Sequence, residues 1–465
     1  MGRRLRHIKG LRITGFAAGG KCFGSYNDTI VFVPKTAPGD VVDIHVTNRR
    51  RGFYEGRVSR LIAASPHRIE PFCRHFAHCG GCNWQHIPYP LQCKQKQAQV
   101  VEQMAHIGKI EADIVHPIIG ARQSRWYRNK LEFTFAQRRW FLPEEMADEE
   151  RQPRGLGYHL PGRFDRILDI ETCWLQPEPS NAIRRAVRDY GIKHGLSFHD
   201  CRRRRGWLRN LIIRTGADGQ VMVIVSLFFE DSEQREALLA FLHHEFPGIS
   251  SLWYVINPKG NDTITDLDVK LWGGADHLIE QLGELRLKVG PKSFYQTNSE
   301  QAEKLYRVVG DFAGLDGTTR VYDLYTGTGA IALTLAPRAQ KVVGIENVAP
   351  AIGDARENAR INSIENVSFV VGDVREVLAD RGFVAANPVD VVVVDPPRSG
   401  LHPNVVETLA DMAVPRLVYV SCNPATQARD LSLLTDIYRV RAMQPVDMFP
   451  HTHHVENVAL LEKQG

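Results

Sequence analysis

Residues 320–330 read RVYDLYTGTGA, and this stretch decides the fold of the C-terminal part of the chain. An apolar run ends near Asp323, and Gly327 and Gly329 then let the backbone turn tightly and approach a ligand closely. Four further apolar runs follow, reading KVVGIE, VSFVVGD, VDVVVVD and RLVYVS. Continuous apolar strands that alternate with helical segments are typical of a parallel sheet covered by helices. The sequence from residue 289 onward therefore predicts an α/β domain.

Polar residues stand at or near the ends of these runs. They are Asp323, Glu346, Asp373, Asp395 and Cys422. Ligands of parallel sheets bind at the carboxyl ends of the strands, so we expect these side chains to border one pocket. Glu346 is suited to accept both hydroxyls of a ribose, which also fits a nicotinamide enzyme, but Ala332 replaces the third glycine of that fingerprint. Asp373 is suited to hold an adenine amino group. The pocket looks like that of a Rossmann-like S-adenosylmethionine-dependent methyltransferase.

The first residues of the chain carry an excess of positive charge. The net charge is only +5, whereas residues 1–64 hold twelve Lys or Arg and four acids, a balance of +8. A basic module indicates a polyanionic partner, with nucleic acid ahead of a merely solvated basic surface. Residues 202–205 form a second cluster of four arginines near Trp207, a combination suited to phosphates and stacked bases. Short strands such as TIVFVP and VVDIHV, broken by Gly and Pro, predict a small β-barrel over residues 10–62.

No apolar run is long enough to cross a membrane. The longest, residues 221–229, is strand-sized and contains Ser226. The opening residues, MGRRLRHIKG, are basic without an apolar segment after them, which argues against a secretory signal. We therefore expect a cytoplasmic protein without membrane contact. In that compartment its eight cysteines are expected to be ligands or nucleophiles rather than disulfide halves.

Three cysteines lie close together in a loop region after residue 64. Cys73 and Cys79 are separated by five residues, and Cys79 and Cys82 by two. A C-x2-C pair is common in zinc sites, so zinc is one interpretation. A radical enzyme is another, although its usual spacing of three and two residues is absent. Residues 91–108 then read as a helix rich in Gln and Lys that contains Cys93.

Five motifs together closely resemble the family of RNA uracil-5-methyltransferases. They are FYQTN from Phe294, DLYTGTG from Asp323, DPPRSG from Asp395, VSCNP from Val420 and HVENVALL from His454. The phrase FVPKTAPGD, which starts at Phe32, resembles the TRAM domain, an OB-like RNA-binding barrel. With the cysteine cluster included, the resemblance covers nearly the whole chain. It implies S-adenosyl-L-methionine and a [4Fe–4S] cluster as cofactors.

The resemblance also implies roles for particular residues. Cys422 would be the nucleophile and Glu456 the base, while Asp395 and Arg398 would bind the uracil. The implied cofactor contacts are Gln296, Tyr325, Gly327, Gly329, Glu346, Asp373 and Asp395, and the implied cluster ligands are Cys73, Cys79, Cys82 and Cys173. Ala330 stands where some members have a polar residue. Cys93 matches no family position.

Simpler interpretations stay open for some of these residues. Taken alone, Cys422 would more often be a small buried hydrophobe. Glu456 would be a surface acid at a strand edge. His451, His453 and His454 suggest a metal site, but no cysteine or acid at suitable spacing completes it, so we interpret them as loop residues near the substrate.

The sequence thus predicts a three-part enzyme. Its parts are a TRAM barrel (1–64), an α+β iron–sulfur and RNA-binding middle domain (65–288) and a methyltransferase domain (289–465). We expect it to form 5-methyluridine in RNA, with 23S ribosomal RNA as the first substrate and transfer RNA as the alternative. A non-catalytic RNA-binding protein with a methyltransferase fold is the alternative from another class. No obligate protein partner is indicated.

Overall fold

A computed structural model describes residues 6–465, which form three large β-sheets and one two-stranded hairpin. The first sheet has the order β1-β5-β6-β4-β3-β2, and only β4 and β6 are parallel neighbours. Alternate residues of β4, Val31 and Val33, are buried in its core, as a half-buried strand requires. The strands are β1 (His7–Arg12), β2 (Gly15–Phe16), β3 (Lys21–Tyr26), β4 (Thr29–Pro34), β5 (Val41–Arg50) and β6 (Phe53–Ala63).

The middle region combines a long loop, a helix and a seven-stranded sheet. Helix α1 (Tyr89–Gln103) continues as a π-helical turn, Met104–Gly108, and ends at Lys109 in the left-handed conformation. The sheet has the order β13-β12-β11-β10-β7-β8-β9. Its strands are β7 (Lys130–Ala136), β8 (Gly155–Leu160), β9 (Arg163–Asp169), β10 (Leu208–Thr215), β11 (Val221–Leu227), β12 (Ile249–Ile256) and β13 (Val269–Gly274), and its helices are α2 (Ser180–Lys193) and α3 (Ser232–Glu245).

The C-terminal region contains the predicted Rossmann-like sheet. A hairpin, β14 (Leu278–Leu282) and β15 (Leu285–Val289), leads through α4 (Ser299–Ala313) into a sheet of order β18-β17-β16-β19-β20-β22-β21. Its strands are β16 (Arg320–Leu324), β17 (Lys341–Glu346), β18 (Val367–Val371), β19 (Val391–Val394), β20 (Arg416–Ser421), β21 (Tyr438–Val446) and β22 (Glu456–Lys463). Its helices are α5 (Ala330–Leu335), α6 (Ala349–Ile361), α7 (Val374–Ala379), α8 (Arg381–Ala386), α9 (Pro403–Met412) and α10 (Pro424–Ser432).

The five apolar runs of the sequence form the five parallel strands of this sheet. Strands β16 to β20 pair in parallel, which confirms the expected α/β class. The sheet also has two antiparallel strands, because β22 pairs antiparallel with both β20 and β21. The chain adds β17 and β18 on one side of β16 and then returns to place β19 on the other side. Strand order therefore reverses between β16 and β19, where ligands of such sheets bind.

Helix α1 belongs to the core of the C-terminal sheet rather than to the sheet that follows it in sequence. Val100 and Met104 are buried in the same cluster as Tyr322 and Val392. The helix therefore packs against the C-terminal sheet and connects the middle region to it. The boundaries at residues 64 and 288 stay a prediction.

The barrel is attached to the loop that follows it by buried polar contacts. The Arg68 guanidinium forms an ion pair with the buried Asp40 carboxylate at 2.8 Å. The indole Nε1 of buried Trp84 donates to the backbone oxygen of Gly20 at 3.1 Å. Breaking these contacts would leave buried polar groups unpaired, which is costly, so they fix the position of the barrel against the following loop.

Across the described part of the chain, no helix has both the length and the apolar character that crossing a membrane requires.

Candidate active site

The turn after β16 holds the two glycines of the predicted cofactor site. Gly329 has a φ of +82°, and a Cβ atom there would lie 3.0 Å from the ring of Phe369, so another residue would be strained. The amide of Gly327 donates to Oε2 of Glu346 at 3.2 Å. The other carboxylate oxygen of Glu346 accepts from the amide of Val348 at 3.0 Å. Glu346 is therefore held beside the glycine turn, where a ribose would need an acceptor.

A cavity of about 640 Å³ opens next to this turn and is lined by Tyr325, Asp373 and parts of segment 397–403. Both carboxylate oxygens of Asp373 accept from the Arg375 guanidinium, at 2.9 and 2.7 Å. These hydrogen bonds hold the pKa of Asp373 down at about 2. The predicted adenine contact is thus already engaged with Arg375. Cys422 and Glu456 are not among the residues that line this cavity.

Cys422 and Glu456 lie opposite each other at the edge of the sheet. Strand β20 ends at Ser421, and β22 begins at Glu456. The two strands are antiparallel with Ser421 paired to Asn457, so the next position outward on β20, Cys422, comes opposite Glu456. Cys422 itself lies in the bend just beyond this last pair, and the charge of Glu456 acts on its thiol. The thiol and the carboxylic acid are therefore close neighbours.

Asp323, Asp395 and Glu456 form a row of interacting acids under this edge. Asp323 and Glu456 are buried, and desolvation raises the pKa of Asp323 to about 7 and that of Glu456 to about 8. Desolvation, with the charge of Asp323 as a second cause, raises the pKa of Asp395 to about 7. The charge of Asp395 in turn raises the pKa of Glu456. A cationic ligand would stabilise the ionised form of such a row.

Arg398 opposes these effects at Cys422. Burial, followed by the charge of Glu456, raises the pKa of the Cys422 thiol to about 11, whereas the charge of Arg398 and a hydrogen bond from it lower this pKa. The backbone oxygen of Arg398 accepts from Nδ2 of Asn423 at 3.2 Å, which ties the DPPRSG loop to the VSCNP loop. Cys422 is thus protonated in this site at neutral pH, and Arg398 is the cation that favours its thiolate.

The FYQTN motif is fixed from outside the C-terminal sheet. Asn129 precedes β7, and its Nδ2 donates to the backbone oxygen of Gln296 at 2.9 Å. Asn298 caps α4 and donates through its Nδ2 to the backbone oxygen of Met448 at 3.0 Å. The FYQTN motif is therefore held between the middle sheet and the C-terminal segment. The sequence does not predict Asn129 as a site residue, because nothing in its neighbourhood distinguishes it.

Four cysteines line one narrow cavity in the middle region. They are Cys73, Cys79, Cys82 and Cys173, and the wall also contains Tyr158 and Trp174. Burial raises the pKa of Cys79 to about 11 and that of Cys82 to about 12. Cys93 lies elsewhere, beside Tyr89 and Asp447. All eight cysteines are free thiols.

Lys35 reaches these cysteines from the barrel. Its Nζ donates to the backbone oxygens of Cys79, at 2.9 Å, and of Phe76. Burial lowers the pKa of Lys35, while negative charge on Cys79, Cys82 and Cys73 would raise it. The sequence does not predict this role, although Lys35 stands in the FVPKTAPGD phrase, because its target lies more than forty residues further along the chain.

The thiols are nevertheless not grouped as they would be around a metal ion. Within residues 6–465, no set of three or more His, Cys, Asp or Glu side chains is arranged to hold one. The four thiols share a cavity without forming a single-ion site in this part of the chain.

The three histidines near the C-terminus connect this site to the loop that follows the cysteines. The backbone oxygen of His451 accepts from the amides of Asn83 and Trp84, at 2.8 and 3.0 Å. His453 contacts Oδ1 of Asn83 through Nδ1 at 3.2 Å. The rings of His453 and His454 lie 4.1 Å apart, and burial lowers the pKa of His454 to about 3. His451 and His453 thus connect the C-terminal segment to the loop at Asn83. The positive charge of Arg398 also lowers the pKa values of His453 and His454.

Two parts of the chain match known protein families. Residues 277–464 match the family described as tRNA (Uracil-5-)-methyltransferase, and residues 7–59 match the TRAM domain. A protein of Bacteroides thetaiotaomicron, named "Uncharacterized RNA methyltransferase", is 50% identical over 96% of this chain and 99% of its own length. The chain belongs to the RNA uracil-5-methyltransferase family. It is an S-adenosylmethionine-dependent enzyme of this family, and RNA is its substrate.

Further relatives agree with this family over the full length. A Porphyromonas gingivalis protein with the same name is 48% identical over 97% of this chain and 99% of its own. Among solved structures, the Pyrococcus abyssi tRNA (uracil-54, C5)-methyltransferase in complex with S-adenosyl-L-homocysteine matches with a TM-score of 0.75 and 27% identity. That match covers 98% of this chain and 100% of the archaeal one. The predicted RNA uracil-5-methyltransferase family and its TRAM-plus-methyltransferase architecture are thereby confirmed.

Proposed function

We propose that this enzyme methylates C5 of a uridine in RNA through a covalent bond between Cys422 and uracil C6. The observation that carries the proposal is the antiparallel pairing of Ser421 with Asn457, which makes Cys422 and Glu456 neighbours at the strand ends. A nucleophile beside an acid of raised pKa is the combination that covalent catalysis followed by proton removal needs. A non-catalytic RNA-binding role would require neither residue.

The chemistry divides one difficult step into easier ones. Cys422 loses its proton to solvent, its thiolate forms a bond to C6, and the electrons of the C5=C6 bond move towards the C4 oxygen to give an enolate. Arg398 favours the thiolate and, with Asp395, supports the charge on the ring. S-adenosylmethionine supplies the methyl group to C5 and becomes S-adenosylhomocysteine. Glu456 then removes the C5 proton, the C5=C6 bond re-forms, and the C6–S bond breaks to restore the Cys422 thiolate.

The residues proposed to bind S-adenosylmethionine have polar and charged groups that suit its parts. Glu346, held by the amide of Gly327, is suited to bind ribose hydroxyls. Tyr325 and Asp373 line the cavity of about 640 Å³, whose size suits a nucleoside. Gln296 and Gly329 complete the set. The row of Asp323, Asp395 and Glu456 favours a cationic ligand, as the sulfonium of S-adenosylmethionine is.

We also propose a [4Fe–4S] cluster held by Cys73, Cys79, Cys82 and Cys173. Four thiols around one cavity, without a carboxylate among its wall residues, are a soft donor set suited to iron–sulfur ligation. A cubane cluster spreads its four ligands more widely than one ion does, so the absence of a single-ion site in residues 6–465 is compatible with it. The role proposed is structural, since the cluster would join the loop of residues 73–82 to residue 173.

The substrate proposed first is 23S ribosomal RNA, because a TRAM barrel together with a cysteine cluster resembles the ribosomal members of the family. Transfer RNA is the second candidate, favoured by the activity for which the Pyrococcus abyssi neighbour is named. Mapping 5-methyluridine in total RNA from cells with and without this gene separates the two. Loss of the modification from 23S RNA supports the first, and loss from tRNA alone supports the second.

The covalent step is tested with RNA that contains 5-fluorouridine. Fluorine at C5 cannot leave as a proton does, so wild-type enzyme and S-adenosylmethionine should yield a stable protein–RNA adduct. Cys422→Ala should abolish the adduct, and Cys201→Ala, which removes an exposed thiol, should not. Glu456→Gln should accumulate an adduct with ordinary RNA. An adduct that persists in Cys422→Ala would place the nucleophile elsewhere.

A further inference from the structure

A second cavity, of about 590 Å³, lies in the middle region and has no part in the proposed chemistry. It is bordered by the end of β7, by the first half of β9, by the arginines 202–204 and by the loop around Lys259. Seven of its lining residues are Arg or Lys and three are Asp. The excess of positive charge favours an anionic ligand there.

This cavity is separated from the proposed methylation site by the length of β7. Asn129, just before β7, binds Gln296 of the FYQTN motif, whereas the cavity is lined by Thr134 and the residues that follow to Arg138. A strand rises about 3.3 Å per residue, so the two sites are roughly 15–20 Å apart. One bound molecule of RNA could contact both.

Two walls of the cavity are built by buried or paired arginines. The Arg209 guanidinium donates to the backbone oxygens of Asn257, Lys259 and Asn261, at 2.6 Å each, and so shapes the loop that carries Lys259. On the other side Arg202 pairs with Asp165 at 2.7 Å. These contacts within the protein maintain the shape of the cavity. Arg203 and Arg204 also line it.

The cavity also offers an aromatic surface. Phe164 lines it with 69% of its surface exposed, and the Arg202 guanidinium lies 6.0 Å from the centre of its ring. His159 and His199 line it too, and Nδ1 of each is buried without a hydrogen-bond partner among the described residues. A ring for stacking and cations for phosphates are the parts from which single-strand RNA sites are built.

We propose that this cavity binds an unpaired nucleotide of the substrate RNA outside the target uridine, with its base on Phe164 and its phosphate on Arg203 and Arg204. The inference rests on the proposed function. A base that reacts must be unstacked from its neighbours, and this costs a few kcal/mol that binding elsewhere has to offset. Binding a second nucleotide about one strand length away would offset part of this unstacking cost.

The test measures binding of a labelled single-stranded oligouridine to the full-length protein at several salt concentrations. Arg203→Ala/Arg204→Ala should weaken binding about tenfold and reduce the slope of log affinity against log salt by about 0.7, because one phosphate is no longer neutralised. Phe164→Ala should weaken binding at least about fivefold with an unchanged slope, because stacking releases no counterions. Lys193→Ala/Lys270→Ala removes the same charge from exposed positions of the same region outside the cavity and should change neither quantity.

Equal affinities and slopes for the arginine variant and the lysine control would overturn the proposal. So would displacement of the RNA by polyglutamate in a Phe164-dependent manner, since the cavity would then be a site for acidic peptides. The 5-fluorouridine adduct separates this inference from the proposed function. Wild-type enzyme that forms no adduct refutes the covalent mechanism, whereas a Phe164→Ala variant that binds RNA normally refutes only the second site.

Discussion

Lys96 and Asp447 form an ion pair of 2.5 Å in which both side chains are completely shielded from solvent. The pair joins α1 to the segment after β21, 351 residues further along the chain. Two further hydrogen bonds reach the pair: the Tyr89 hydroxyl donates to Asp447 at 2.8 Å, and the backbone oxygen of Phe449 accepts from Lys96 at 3.0 Å. This pair is a buried polar contact between the middle and C-terminal regions.

Lys96→Met should lower the free energy of unfolding by about 3–5 kcal/mol, because it leaves the Asp447 carboxylate buried and unpaired. Denaturant unfolding followed by circular dichroism measures the change. Lys94→Met on the exposed side of the same helix is the control and should have an effect close to zero. The double variant Lys96→Met/Asp447→Asn should recover part of the loss, and a double variant as unstable as the single one would contradict this account.

The final step of the proposed reaction should depend on the ionisation of Glu456. Its pKa is raised to about 8, so the acid is mostly protonated at pH 7 and becomes a base as the pH rises. Rapid-quench measurements should show that the adduct with ordinary RNA resolves faster as the pH increases from about 6.5 to 8.5. In Glu456→Gln the adduct should persist at every pH. A resolution rate that is independent of pH in the wild-type enzyme would exclude Glu456 as the base.

The folded state should also respond to these acids. A raised native pKa means that the protein binds a proton more tightly than the unfolded chain does, so the stability that Glu456 contributes is greatest at low pH and falls as the pH rises towards about 8. Glu456→Gln cannot ionise. The variant's free energy of unfolding relative to wild type should therefore be more favourable at about pH 8 than at about pH 5. An unchanged difference would argue that Glu456 is not desolvated.

Alkylation of Cys422 without RNA should report its raised pKa. Because the thiolate is the reactive form and the pKa is about 11, labelling by iodoacetamide should rise nearly tenfold per pH unit between about pH 7 and 9. Arg398→Ala should slow labelling at each pH, since it removes the cation that favours the thiolate, whereas Arg398→Lys should restore part of the rate. Peptide mass spectrometry distinguishes Cys422 from exposed Cys201. Equal labelling in Arg398→Ala would remove Arg398 from this role.

Lys35 should stabilise a cluster bound by the four cysteines. Its ammonium group lies among thiolates that would carry negative charge, and it also fixes the backbone at Cys79. Anaerobically purified Lys35→Met should contain less than the roughly four irons per chain expected for a cubane cluster and lose them faster to a chelator. Lys21→Met removes a barrel lysine that pairs with Glu55 instead and should retain iron. Zinc in place of iron in the wild-type protein would refute the cluster itself.

Much of this protein can be predicted from local sequence. The five parallel strands of the C-terminal sheet follow from runs of apolar residues, because a strand buried on both faces has to be apolar throughout. The turn after β16 follows from Gly327 and Gly329, whose positive φ angles other residues rarely adopt. The helix predicted at residues 91–108 is also present, although it begins at Tyr89 and its last turn is π-helical. Each of these features depends on neighbours within a few positions.

Contacts between distant segments could not be predicted in this way. The sequence does not show that Cys422 comes opposite Glu456, because β21 and the antiparallel direction of β22 settle that register. Nor does it show that Lys35 reaches Cys79, that Asn129 holds Gln296, or that Lys96 pairs with Asp447. Burial in the folded chain also sets the pKa values of Asp323, Asp395 and Glu456. Propensities and turn chemistry act over a few residues, whereas desolvation and strand register exist only once the whole chain has packed.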